Sequence, residues 1–165
     1  MKIRKTEESD ITRVMEIYAY ARRFMAEHGN PKQWGATNWP PEKVIHEDVR
    51  TENGYVCEND DGEVVGAFYY VAGNDIEPCY REITDGKWID DSPYGVVHRI
   101  AVDGSQKGIG SFCLKWAYDQ CGHIRIDTHG DNHVMQGCLK KLGFVHCGTV
   151  YVEEDNDPRL AFEKV

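Results

Sequence analysis

The chain has 165 residues, 41% apolar and 11% aromatic, enough for one substantial core and unlike the composition of a disordered segment. A formal charge of −9 and an isoelectric point near 5.2 argue against nucleic-acid and anionic-membrane surfaces, which need a basic face. No signal peptide or long apolar run is read, and the six cysteines (57, 79, 113, 121, 138 and 147) form no Cys-x-x-Cys pair. One domain over residues 1–165, in a reduced cytoplasm, is therefore expected.

Residues 2–6 alternate and predict a short edge strand. Ser9-Asp10 supplies an N-cap, after which Ile11, Val14, Met15, Tyr18, Ala21, Phe24 and Met25 recur at helical steps until Gly29. That stripe is read as core. The turn-rich stretch from Gly29 to Pro41 carries Trp34 and Trp39, which suit either a plug over the core or the wall of a substrate cleft. A second helix is predicted from about Pro41 to Arg50, with Pro41 in its first turn and Glu42 at the positive end of its dipole. Tyr55–Glu58 and Glu63–Val71 read as an antiparallel hairpin around Asn59-Asp-Asp-Gly62. From Gly73 to Pro93 the chain turns acidic and irregular, with Asp75, Glu77, Glu82, Asp85, Asp90 and Asp91 around Tyr80 and Trp88 and a short helix near Tyr80–Ile83. It reads equally as a functional connection or a solvated excursion.

The stretch from Val96 to Cys121 is the most informative. A β-branched run, Val96–Val102, meets an Asp103-Gly104 turn, then Lys107-Gly108-Ile109-Gly110, then helical spacing over Ile109–Cys121. Strand, glycine loop and helix in that order make a corner whose free amides suit a phosphate, although a tight turn capping an ordinary helix gives the same letters. Ile124–Thr128 follows as a strand, parallel to Val96–Val102 because a crossover helix joins them. A helix over Asn132–Leu142, stopped by Gly143, precedes two more strands, His146–Val152 and Leu160–Lys164, with Asp155–Pro158 as their turn. The order of elements is that of a mixed α/β layer structure.

With Asp131-Asn-His-Val-Met-Gln-Gly-Cys-Leu-Lys-Lys-Leu-Gly-Phe144 following the glycine loop, the region from 96 to 146 resembles the GNAT acetyltransferase superfamily. The resemblance implies a mixed, mostly antiparallel sheet with two splayed parallel strands and flanking helices. It also implies acetyl-CoA as co-substrate. The backbone of Gln106, Lys107, Gly108, Ile109, Gly110 and Ser111 would hold the pyrophosphate, and Ile100, Ala101 and Val102 would run beside the pantetheine arm. Asn132 would reach the same arm, with Met135 and Leu139 beside it on the helix. Two positions depart from the family pattern. Ser105 stands where Gln or Arg is usual, and Leu139 stands where many members carry a Tyr that protonates the departing thiolate.

The implied reaction is direct attack of a neutral amine on the thioester, which needs a base and amides aimed at the oxyanion, near Ile100–Val102. His98, Asp127 and His129 are the candidate bases. Strand alternation puts His98 on one face with Ile100 and Val102. A packing role for His98, and structural hydrogen bonds for Asp127 and His129, are the alternatives. Trp34, Trp39, Tyr80 and Trp88, with the acidic residues around them, suit a box for a cationic amine. His123, Asp127, His129, His133, Cys138, His146 and Cys147 crowd one third of the chain. Gly130-Asp131-Asn132, however, reads as a cap that separates His129 from His133, so no metal is expected. A small or peptidic amine is the expected acceptor, its identity open, and a homodimer is compatible with such a fold. The competing class is a non-catalytic acyl-CoA-binding sensor or scaffold.

Overall fold

The computed structural model describes residues 1–152 and 156–165. The chain runs β1 (Lys2–Lys5), α1 (Ile11–Glu27), α2 (Glu42–Arg50), β2 (Gly54–Glu58), β3 (Val64–Gly73), β4 (Tyr94–Val102) and α3 (Ile109–Cys121). It continues through β5 (Ile124–His129), α4 (His133–Lys141), β6 (Val145–Tyr151) and β7 (Pro158–Lys164). The strands form one sheet in the order β1-β2-β3-β4-β5-β7-β6. Among the described residues only β4 and β5 pair in parallel, as the crossover through α3 requires.

Apolar periodicity sorts the helices to the two faces. Ile11, Val14, Ile17 and Tyr18 of α1 and Ile45 of α2 pack on Val56 and Ala101. Cys113, Leu114 and Ala117 of α3 and Leu139 of α4 pack on Phe68, Val97, Ile126 and Phe162. No helix among the described residues is long and apolar enough to cross a membrane.

Several boundaries differ from the sequence expectation for local reasons. Asp10 stands at the N-cap of α1, but its carboxylate turns back to the Arg4 guanidinium (2.6 and 2.9 Å) and the Glu7 amide (2.8 Å) instead of capping the helix. Pro41 is extended and precedes α2 as its N-cap. The short turn in the acidic connection lies at Pro78–Tyr80, where a proline begins it. Of the predicted Asp155–Pro158 turn, Asp155 lies outside the described residues, and Pro158 already belongs to β7.

Strand β4 carries the consequential irregularity. Ala67 pairs with Ala101 and Tyr69 with His98, so two steps on β3 match three on β4. The extra residue is absorbed at Arg99, which adopts a left-handed φ of 53°. This bulge corrects the expectation that His98 shares a face with Ile100 and Val102. Ile100 and Val102 pack with the α3 side, whereas Val96, two residues before His98, packs with Tyr80 and Tyr94. The His98 ring accordingly lies 6.3 Å from that of Tyr80.

The acidic connection is held against the sheet. Fully buried Glu163 accepts from Arg125 Nε at 2.9 Å, lies 2.7 Å from His123 Nε2 and takes the amide of Ile89. The Arg125 guanidinium is sandwiched between the rings of Trp88 (4.4 Å) and Tyr94 (4.3 Å). Removing one partner of a buried ion pair leaves the other uncompensated. Glu163→Ala is therefore expected to cost about 3–5 kcal/mol in urea unfolding.

Candidate active site

Strands β4 and β5 pair only at Gly95 with Ile124 and Val96 with Arg125. Beyond that point they part, and the gap opens into a cleft of about 1400 Å³. A single drug-sized ligand needs roughly 300–1,000 Å³, so the space suits two reactants side by side. Val97, Leu114 and Ile126 line it where it meets the core.

One part of the cleft has the backbone geometry of an anion seat. Gly108, at φ 88°, is the N-cap of α3, a left-handed position that suits glycine. The bond from Phe112 N–H to Gly108 O (2.9 Å) is where the helical pattern of α3 starts. The amides of Ile109, Gly110 and Ser111 precede it and have no intrahelical acceptor. A side-chain carbon added at Gly108 or Gly110 would meet nothing within 4 Å, so both backbones face open space along the cleft. Asp103 braces the approach, accepting from Ser105 N–H (2.9 Å) and from Arg13 of α1 (2.6 Å). Such a loop matches the chemistry of a phosphate or diphosphate.

Ile109 and Leu139 do not face this seat. Both side chains are buried in the core, at 1% and 0% exposure, so Ile109 can offer only its amide. Leu139 is drawn inward because it is wholly apolar, while Met135 and Cys138 of the same helix border the cleft. Asn132 caps α4, its Oδ1 accepting from Met135 N–H at 3.1 Å, and its amide donates to Gln33 Oε1 at 3.0 Å. Gln33 thereby joins α4 to the 29–41 connection, a contact between residues 99 apart that no local pattern announces.

The other part of the cleft is charged and aromatic. His98 Nε2 lies 2.6 Å from Glu77 Oε2, and its Nδ1 lies 4.0 Å from Asp127 Oδ2. The Tyr80 hydroxyl donates to the same Asp127 oxygen at 2.7 Å. Burial pushes the Tyr80 phenol well above its ordinary range, with the Asp127 charge adding to it, so it stays a donor. Burial alone would raise the Glu77 carboxyl; the hydrogen bond and charge of His98, helped by Cys79, outweigh that and hold it low. Arg99 NH2 reaches both Asp48 oxygens at 2.7 Å beside the ring of Tyr69. Burial raises the Asp48 carboxyl despite that pairing.

Among the expected acceptor residues, Trp34 and Trp39 line the cleft, and Trp34 also packs edge-on against Tyr18. Tyr80 and Trp88 do not line it. Tyr80 is 2% exposed and reaches the cleft only through Asp127. Trp88 stacks on Arg125 and donates its indole N–H to the Tyr80 carbonyl. His129 is also outside the lining, its Nδ1 accepting from Asp131 N–H at the end of β5. Glu77, Asp48 and Arg99 were not singled out by sequence; an acidic run marks the neighbourhood of Glu77 without selecting it. Among the described residues, no group of three or more His, Cys, Asp or Glu side chains could hold a metal ion.

Residues 15–144 match the model of the Acetyltransferase (GNAT) family. No curated protein sequence matches the chain. Among solved structures, an acetyltransferase of the GNAT family from Streptococcus agalactiae 2603 superposes with a TM-score of 0.89 at 29% identity, covering 99% of this chain and 94% of that one. The ribosomal-protein-alanine N-acetyltransferase of Brucella melitensis shares the fold (TM-score 0.65, 18% identity, 100% and 99% covered). So does a phosphinothricin acetyltransferase from Sinorhizobium meliloti, solved in complex with AcCoA (TM-score 0.63, 17% identity, 99% and 86% covered). Family model, fold and glycine-loop seat agree, and the chain belongs to the GNAT family of acetyltransferases, which use acetyl-CoA.

Proposed function

We propose that this protein is an acetyl-CoA-dependent N-acetyltransferase in which a primary amine, small or peptidic, attacks the acetyl group directly with His98 as its base. The observation that carries the reading is the single cleft that joins an amide-rich anion seat to an imidazole between two carboxylates.

The chain offers what the co-substrate needs. Backbone amides from Gln106 to Ser111 would hold the diphosphate, with Lys107 beside them. The edge of β4 at Ile100, Ala101 and Val102, released from β5, would take the pantetheine arm as a sheet takes an added strand. The Asn132 amide and the Met135 side chain would flank it. His98 lies four residues upstream of Val102 on the same strand, across the bulge at Arg99.

Bound acetyl-CoA supplies a thioester carbonyl. The amine must first lose a proton, since an ammonium has no lone pair, and His98 accepts it. As the amine nitrogen bonds to the acetyl carbon, the carbon–sulfur bond breaks and the nitrogen gives up its second proton to solvent water. The sulfur departs as a thiolate and takes its proton from water, a tolerable course because a thiol pKa lies near ~8.5. Leu139 takes no part in that step.

Free thiol should appear in an amine-dependent manner, above hydrolysis, when the protein is incubated with acetyl-CoA and a panel of primary amines. Tight CoA binding with no turnover across the panel would instead identify a sensor. Gly110→Glu places a carboxylate against the diphosphate where the fold has room for it. Calorimetry should show CoA affinity falling at least ~10-fold, or about 1.4 kcal/mol. His98→Ala should lower kcat by about 10²–10⁴-fold and leave CoA affinity unchanged.

A further inference from the structure

We infer that the acceptor nitrogen is seated between His98 Nδ1 and Asp127 Oδ2, and that Glu77 is the positioning residue that makes Nδ1 the proton-accepting atom. The inference deepens, and rests on, the N-acetyltransferase reading.

An ionised carboxylate can only accept, so the 2.6 Å contact between Glu77 Oε2 and His98 Nε2 requires a hydrogen on Nε2. In the neutral ring the lone pair is then on Nδ1. Nδ1 and Asp127 Oδ2 are 4.0 Å apart, too far to share a hydrogen bond directly. A third atom can nevertheless lie about 2.9 Å from both, some ~2 Å off the line between them. Both atoms accept, so the atom that fits there is a donor with two hydrogens to give, as an ammonium nitrogen is.

The surroundings favour the same occupant. Asp127 has a side chain only 9% exposed, and its hydrogen bond from Tyr80 comes from a neutral hydroxyl. A buried carboxylate with no cation is costly, and the substrate's ammonium supplies one. Arg159 of β7, which lines the same cleft, lies 3.9 Å from Asp157, and the groups around His98 itself are engaged or uncharged. Cys79 donates to the second Glu77 oxygen at 3.3 Å, Arg99 and Asp48 neutralise each other, and the Tyr69 ring lies 6.1 Å from the imidazole. The proton step balances: the ammonium passes one proton to Nδ1, the imidazole becomes an imidazolium between Glu77 and Asp127, and the nitrogen keeps its lone pair for attack.

The test combines nitrogen-15 NMR of the histidine rings with kinetics on the best amine of the panel, for the wild type, Glu77→Gln, Glu77→Asp and Asp127→Asn. In the wild type, the neutral His98 ring should show a protonated Nε2 and a bare Nδ1; Glu77→Gln should mix the tautomers. Glu77→Gln should also lower kcat about 10-fold. Because the imidazolium loses its counter-charge, the acid limb of kcat should move to lower pH. Glu77→Asp should restore part of both. Asp127→Asn should raise the amine KM at least ~10-fold with a smaller change in kcat. CoA affinity should be unchanged in all three variants. A bare Nε2 in the wild type, an unmoved acid limb in Glu77→Gln, or an unmoved KM in Asp127→Asn would overturn the inference even in an active enzyme. A wild type that acetylates no amine yet keeps the Nε2–H tautomer would refute the transferase reading instead.

Discussion

Beyond Val96 and Arg125 the two parallel strands at the centre of the sheet stop sharing hydrogen bonds, and nearly every feature of the cleft depends on that parting. A parallel pair that stayed zipped to the end of β4 would bury the edge at Ile100–Val102 and leave only a shallow crevice above the glycine loop. Parted, the strands expose backbone groups that look for partners, since a buried amide or carbonyl without one is expensive. The cleft is therefore bordered by an edge of β4 that β5 does not pair. The bulge at Arg99 contributes on the β3 side of β4. It adds one residue to β4 between two fixed register points, which turns His98 to one face and Ile100 to the other. His98 and Ile100 thus sit on one strand without competing for the same side.

Two charged clusters, each with one member on β5, differ in how fully their groups are satisfied. Arg125, His123 and Glu163 form a closed set, with every charge matched, Glu163 wholly buried and aromatic rings above and below the guanidinium. His98, Glu77 and Asp127 form an open one. Two carboxylates face one imidazole, one gap is 4.0 Å rather than a bonding distance, and all three border a cleft. Saturation gives rigidity, because there is nothing left to bind. Two acceptors held 4.0 Å apart in a low-dielectric wall favour a charged donor between them.

The division between what could be read in the sequence and what could not follows the range of the interactions. Periodicity located the helices because their apolar faces are set by neighbours three and four residues away, and α1, α3 and α4 end within a few residues of where Gly29, Gly122 and Gly143 stop them. The glycine loop was legible because Gly108 and Gly110 act through local backbone geometry. The bulge was not. It is a mismatch of register between β3 and β4, fixed by pairing across the sheet, and Arg99 is a residue type with no special liking for a left-handed φ. Tyr80 and Trp88 were misread for a related reason: aromatic residues in an acidic connection look like a cationic-amine box, yet Arg125, from a strand more than 30 residues away, claimed Trp88 and the core claimed Tyr80. Leu139 kept its place in the helix pattern, but an apolar side chain there has every reason to turn inward.

The two clusters are also mechanically joined, which decides how the connection from 73 to 93 should be understood. Glu77 sits near its start and bonds His98, and Ile89 sits near its end and bonds Glu163. Between them, Tyr80 passes its hydroxyl to Asp127 while its carbonyl takes the Trp88 indole. A solvated excursion would hold none of these groups in place, because each ordered residue costs on the order of 1–2 kcal/mol of backbone entropy. Here the saturated cluster supplies the rigidity that the open cluster cannot generate for itself. Removing a charge from the closed set should therefore loosen the contact between Glu77 and His98 even though no atom of Glu163 reaches the cleft. The acidic connection is in this sense part of the cleft wall, held from behind by the far end of the sheet.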